Sequence, residues 1–208
     1  MSSIQYAASL ILMTLCLLLT PSCALLKKPN PVTQLQLTLD AAAISWPLQL
    51  ALSSVKARKI LQSDRVIVTS GARVMQHAGL RWVAAPAALI NEQLSLARSN
   101  QLALAMASKA GQGSGATLDI WLSEFNVVEQ VNGGTQTRVS ALASLRCNRA
   151  ASAGKSASDQ ASAVQLPAVT RAVTLNSSDP QRLADSFNTA SNAVFIALVK
   201  SSLGRCGL

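Results

Sequence analysis

The chain is poor in the side chains from which most catalytic sites are built. It has one histidine, His77, and only nine acidic residues among 208, and these are scattered, whereas metal sites need clustered His, Cys or carboxylate ligands. No G-x-S-x-G turn presents a nucleophilic serine, and the Gly-rich stretch at 111–115 lacks the GK[ST] ending of a phosphate loop. The sequence therefore predicts no enzyme, no metal site and no cofactor.

Aromatic residues are also scarce, at 3%, although half of the chain is apolar. The apolar residues are mostly Ala, Leu and Val, so we expect a core of small, often β-branched side chains. Trp82 is one of the few large rings, and we expect it to be buried where the first predicted helix meets the sheet. The length suits one domain with appended segments.

Acidic residues are half as many as basic ones, which leaves a formal charge of +9. The arginines are dispersed and no aromatic residues alternate with them, so the pattern argues against nucleic acid as a partner. Two explanations of the charge stay open, namely attraction to anionic lipid head groups and an ordinary solvated surface.

No apolar run reaches the ~20 residues that a comfortable transmembrane helix needs. The longest, roughly 7–19, has the length of a signal-peptide core, although no basic residue precedes it. Pro21 and Ser22 follow it and would end such a signal. The alternative is a retained anchor, in which case Lys27 and Lys28 would favour a cytoplasmic location for the rest of the chain.

Cys23 stands directly after this segment, in the sequence TPSC. Bacterial lipoprotein signals end with a small residue before a cysteine whose thiol receives diacylglycerol, and Ser22 fits that pattern, whereas Thr20 departs from it. We therefore predict that Cys23 is the lipidated N-terminus. Because Ala24 follows instead of Asp, the predicted location is the periplasmic face of the outer membrane. Cleavage after Ala24 is the alternative.

Hydrophobic periodicity outlines the rest of the chain. It predicts strands at 46–52, 64–70, 72–78, 101–108, 117–131 (with a β-bulge), 136–150 and 163–175 (broken at Pro167), and helices at 81–100 and about 180–203; the stretch 34–39 could add an edge strand. Gly71 and the NGGT stretch at 132–135 are predicted hairpin turns, and Asp179 with Pro180 is the predicted start of the last helix. The resulting fold class is α+β, a mainly antiparallel sheet with two helices packed on one face. The predicted parts are a signal peptide (1–22), a lipidated N-terminus with a flexible tether (23–45), a domain (46–203) and a tail (204–208).

Two cysteines of the predicted domain and tail, Cys147 and Cys206, form an even pair. In an oxidising periplasm such a pair can form a disulfide, which would join the sheet to the end of the last helix. The alternative is two free thiols.

The run from Trp46 to Leu104 resembles the ABC-type transport auxiliary lipoproteins, the PqiC-like family. The matching marks are Ile60-Leu61, the segment 65–68 (RVIV), and Arg81-Trp82 followed by Pro86 at the start of a helix. The later LDIWLSEFNVVEQ strand, its NGG turn, the return strand and the alanine-rich final helix follow the same layout. The resemblance extends over about residues 19–203.

This resemblance implies a lipoprotein of an ABC transport system that carries MCE-type subunits and moves lipids or other hydrophobic molecules between membranes. The implied partners are an MCE-domain subunit, the permease and ATPase, and outer-membrane lipid through the acyl anchor. Such a protein acts by binding, and an exposed sheet edge would dock a partner by strand addition; we expect that edge within Val66–Val68 or Val139–Ala143. Rival functions are an outer-membrane assembly lipoprotein resembling the lipopolysaccharide-export plug, and a secreted hydrolase that uses His77.

Overall fold

The computed structural model describes residues 31–107, 115–147, 163–203 and 205. The chain divides between Pro31 and Val32 into two units, and the second, which begins at Val32, is the folded domain. The predicted signal peptide, Cys23, the stretch 111–114 and Cys206 lie outside the described residues.

Eight strands form one sheet within the described ranges. They are β1 (Thr33–Leu35), β2 (Leu50–Ala57), β3 (Arg65–Ser70), β4 (Arg73–Trp82), β5 (Ala116–Glu129), β6 (Thr135–Cys147), β7 (Ala163–Gln165) and β8 (Val169–Leu175). The order across the sheet is β1-β4-β3-β5-β6, and β7 and β8 follow one another along the far edge of β6. Pro167 separates β7 from β8, as the sequence predicts.

The sheet is mixed but mostly antiparallel. The β3–β4, β5–β6, β6–β7 and β6–β8 pairs are antiparallel. β2 and β3 both run parallel to β5 and occupy the same edge of it in succession, β2 beside 116–122 and β3 beside 126–129. A short 3-10 helix (Lys59–Gln62) carries the chain from one position to the next, and this arrangement is not visible in the periodicity.

The long β5–β6 hairpin forms the centre of the domain. Its turn contains Gly133 with φ at 81°, a left-handed conformation that glycine adopts without steric cost. Strand pairing slips by one residue between Leu122 and Glu124, which is the predicted β-bulge. The bulge changes which residues of β5 face the core, so that Leu122 and Phe125 are both buried.

Two α-helices cover one face of this sheet, as predicted. Helix α1 (Pro86–Ala107) packs on β2, and helix α2 (Pro180–Ser202) packs on β6 and β8. Asp179 caps α2 by accepting a hydrogen bond from the Gln181 amide at 3.0 Å, and Pro180 is its first residue, as the sequence indicates.

Helix α1 corrects one prediction, because the strand expected at 101–108 is helical to Ala107. The alternation in QLALAMA suggested a strand. However, Gln, Leu, Ala and Met are all strong helix formers and no Gly or Pro interrupts them, so the helix that begins at Pro86 continues.

The predicted tether also needs correction, because residues 32–45 belong to the folded unit. Four side chains of this segment are buried in the core, Leu35, Leu37, Leu39 and Ile44. Two asparagines one turn apart on α2 hold its backbone, since Asn188 Oδ1 accepts from the Thr38 amide and Asn192 Oδ1 from the Asp40 amide, both at 2.9 Å. Only the first part of the alternating stretch 34–39 pairs as a strand.

Candidate functional site

The aromatic residues of the covered face form a structural cluster. The Trp82 ring meets Phe125 of β5 at 5.2 Å and Phe187 of α2 at 5.1 Å between centroids, both edge-on, and the two phenyl rings stack at 4.5 Å. All three side chains are buried. The predicted burial of Trp82 is therefore confirmed, and its ring contacts Phe187 of the last helix. This cluster is core and offers no surface for a partner.

His77 lies on β4 with its side chain exposed. Its Nδ1 accepts a hydrogen bond from the Gly79 amide at 3.2 Å, so the neutral ring carries its hydrogen on Nε2, which faces solvent. No serine or carboxylate of the described residues forms a hydrogen bond with it, and those same ranges contain no group of three or more His, Cys, Asp or Glu side chains that could hold a metal ion.

The face of the sheet opposite the helices is open and largely polar. Trp121 stands near its middle and is 40% exposed, and it is the one exposed aromatic side chain of the described residues. Its neighbours across the sheet are Lys56 on β2 and Leu142 on β6. This ring was missed in the sequence, although a signal exists: Trp121 shares its phase in β5 with Asp119, so it had to face away from the core.

Two shallow grooves lie on this open face. The groove beside Trp121 is flanked by an ion pair between Arg146 and Asp119, with 2.9 Å between Nη2 and Oδ2. The second groove lies at the β3–β4 turn end and contains Arg138 and Glu124. In it Asn126 Nδ2 donates to Thr69 Oγ1 at 2.7 Å. Both grooves are open, which suits a contact surface better than an enclosed ligand site.

The strands predicted to form a docking edge are interior. β3, with Val66–Val68, lies between β4 and β5, and β6, with Val139–Ala143, lies between β5 and the β7/β8 pair. Their backbones are already paired on both sides, so neither accepts a further strand.

One edge without a strand partner lies instead on β4. β3 pairs with β4 over 73–76, while β1 occupies the other side of β4 at 80–82 alone. Along 73–79 no strand of the described ranges covers that second side, and every side chain from Arg73 to Ala78 is exposed. An unpaired row of backbone N–H and C=O groups is a template for another strand.

The cysteine predictions stay open. Cys147, at the end of β6, is disulfide-bonded, whereas the remaining cysteines lie outside the described residues, so the pairing with Cys206 stays a prediction. The lipidation of Cys23 also stays a prediction. None of the helices in the described ranges is long and apolar enough to cross a membrane.

Comparison with known proteins shows which solved structures share the fold of this chain. No protein family description matches the chain, and no curated protein matches it either. Among solved structures it resembles protein XCC0632 from Xanthomonas campestris, assigned to the family DUF330, with a TM-score of 0.57 and 18% identity over 83% of this chain and 94% of that one. An uncharacterized protein matches with a TM-score of 0.54 and 12% identity over 83% and 98%. At these identities the likeness shows that the chain shares their fold.

Proposed function

We propose that the protein is an outer-membrane-anchored periplasmic lipoprotein of an ABC-type, MCE-linked transport system, and that it acts by binding a protein partner. It would contribute to moving lipids or other hydrophobic molecules between membranes without performing chemistry itself. The lipid anchor at Cys23 would hold the domain at the membrane surface, and the permease, the ATPase and the MCE subunit would do the work of transport.

The observation that carries the proposal is the junction from Trp82 to Pro86. In the sequence this is the mark on which the resemblance to the auxiliary lipoproteins depends. In the structure Trp82 ends β4 as the most deeply placed indole of the core, and Pro86 is the first residue of α1. The resemblance therefore rests on residues that build the fold, and the strands and helices around them follow the order that it implies.

The surface of the domain supports binding as the mode of action. The side chains that catalysis would need are dispersed in the described residues, and the one histidine bonds there to the Gly79 backbone amide instead of to a serine or carboxylate. By contrast, an exposed indole on the open face and an unpaired strand edge are both features through which proteins recognise one another.

The anchor is tested by mass spectrometry of the full-length protein purified from membranes. A diacylglycerol-modified N-terminus at Cys23 is expected, and Cys23→Ala should leave an uncleaved precursor or release the domain. An unmodified terminus at Leu25, or an intact Met1, would contradict the anchor.

The partner is tested by affinity purification of the full chain from detergent extracts, with Cys23→Ala as the matched control for membrane placement. Recovery of an MCE-domain protein supports the proposal. Recovery of a β-barrel alone assigns the protein to outer-membrane assembly instead. Loss of transport function in His77→Ala, with the fold intact and the partner recovered as well as by the parent protein, would contradict action by binding alone.

A further inference from the structure

We infer that the free edge of β4, residues 73–79, is the docking site for an extended acidic segment of a partner protein, which adds to the sheet as a strand. This deepens the proposed function and rests on it for the partner's identity, but the edge and its chemistry follow from the structure alone. We call these residues the β4 edge.

The chain that precedes β1 is poorly suited to cover this edge. β1 runs parallel to β4 and begins opposite Leu80, with Thr33, so a strand on the β4 edge would continue the line of β1 toward its N-terminus. The residues in that direction include Pro29 and Pro31, and proline cannot donate a backbone hydrogen bond to a neighbouring strand. The unpaired side of the β4 edge therefore favours a strand from a partner protein over the segment that precedes β1.

Apart from Arg73 and the bulge over 77–80, the β4 edge lacks the devices that usually protect such a strand on its outer side. Natural edges are blunted by proline, lysine or a covering element, yet 73–79 contains no proline or lysine and exposes Val74 and Met75 at 54% and 46%. The opposite edge of the sheet is protected. There Pro167 interrupts the β7/β8 edge, and α2 packs on β8.

The pairing of β4 with β3 contains an irregularity at one end of the β4 edge. Between the pairs Arg65–Arg81 and Ile67–Gln76, β3 advances by two residues and β4 by five, so β4 bulges over 77–80. The bulge exposes His77, and its imidazole Nε2–H can donate to an incoming side chain. An added strand would therefore pair along 73–76 and meet a hydrogen-bond donor at the bulge.

The positive charge of the β3–β4 hairpin indicates which kind of partner segment would bind. The hairpin from Arg65 to Trp82 contains three arginines and no acidic residue, and the adjoining β1 carries no charge. Arg81 is paired with Asp64 at 3.6 Å, whereas Arg73, which begins the edge, has no ion-pair partner among the described residues. A second copy would bring the same positive hairpin against this one. An acidic partner strand is attracted instead.

The test uses the full-length protein in detergent micelles and a synthetic eight-residue peptide that alternates glutamate with valine and threonine. A peptide with lysine in place of each glutamate is the matched probe. Fluorescence anisotropy measures affinity, and hydrogen exchange locates the contact. We expect the acidic peptide to bind and the lysine peptide not to bind, with hydrogen exchange slowed about tenfold within 73–76 and unchanged over 169–175.

Two pairs of variants separate the edges. Arg73→Glu and Met75→Asp should each lower the affinity for the acidic peptide by about fivefold or more. The matched changes on the protected edge, Arg171→Glu and Thr174→Asp, should leave the affinity unchanged. All four positions are exposed, so circular dichroism and thermal unfolding should show intact folds. If Met75→Asp fails to fold, the peptide affinity of a fifth variant, Val74→Thr, is measured in its place.

Several results would overturn the inference. In the peptide experiments, these are equal binding of the lysine peptide, protection at 169–175 in place of 73–79, or full affinity in Arg73→Glu. A second copy would be the occupant if the free protein were a dimer in sedimentation equilibrium with its 73–79 amides protected. A membrane surface would be the occupant if phosphatidylglycerol vesicles protected the same amides. In cells, a transport partner recovered equally well by Arg73→Glu and the parent protein would defeat the inference and spare the proposed function. Acidic-peptide binding without any MCE-domain protein in the purification would contradict the proposed function and leave the inference standing.

Discussion

The two faces of the central sheet use the same residue type in opposite ways. Trp82 stands on the covered side, where it is 1% exposed and meets Phe125 and Phe187, while Trp121 stands on the open side and is 40% exposed. A chain with so few rings has placed three of them in one cluster and left one in solvent. The covered face therefore carries stability, and the open face and the β4 edge are free for recognition.

Trp82→Ala is the change that should separate the two faces most strongly. Removing a fully buried indole leaves a cavity against Phe125 and Phe187, and we expect the free energy of unfolding to fall by about 3–5 kcal/mol. Chemical denaturation followed by circular dichroism measures it. A loss below about 1 kcal/mol would show that the cluster is not the centre of the core.

The double variant Asn188→Ala/Asn192→Ala should have the next largest effect. Each amide oxygen holds one backbone N–H of the segment that carries the buried Leu37 and Leu39, and each lost bond should cost about 1 kcal/mol. Hydrogen exchange should quicken at Thr38 and Asp40. Thr189→Ala is the control, since its hydroxyl bonds within α2 to the Asp185 carbonyl; an equal loss there would refute the assignment.

Asp179→Ala tests the end of α2 that lies beyond the cluster. It removes the acceptor for the Gln181 amide, and loss of such a cap typically costs about 1 kcal/mol. Asp179→Asn keeps an acceptor at the same position and should restore most of the stability. If the asparagine variant were as unstable as the alanine variant, the hydrogen bond would not be the cause.

Trp121→Phe should change the free energy of unfolding least, by about 0.5 kcal/mol or less, because exposed positions tolerate substitution. Iodide quenching of tryptophan fluorescence measures the exposure of this ring more directly than unfolding does. Trp46 and Trp82 are 3% and 1% exposed, so Trp121 should account for most of the tryptophan emission that iodide quenches. Quenching that persists in Trp121→Phe would show that a covered ring is accessible, and the contrast between the faces would be lost.

Local chemistry was enough to predict many of the elements. The glycine turns at Gly71 and Gly133 connect the predicted hairpins, the phase change in β5 is the observed bulge, and Asp179 with Pro180 begins α2. The same alternation misled at 101–107, where a helix that had already begun continued through residues of high helix propensity. It also left Trp121 unremarked, although its place among the polar positions of β5 indicated an outward side chain.

Pairing between distant segments was beyond what the sequence pattern contains. Periodicity tells which side of a strand is apolar, but the partner of each strand depends on contacts between residues far apart in the chain. For this reason β3 and β6, which look like ordinary strands, proved to be interior, and β4 carries an edge without a strand partner. Composition and turn chemistry thus predicted the fold class and the start of α2 at Asp179 and Pro180, while the assembled sheet alone decided which backbone groups of the described strands remain unpaired.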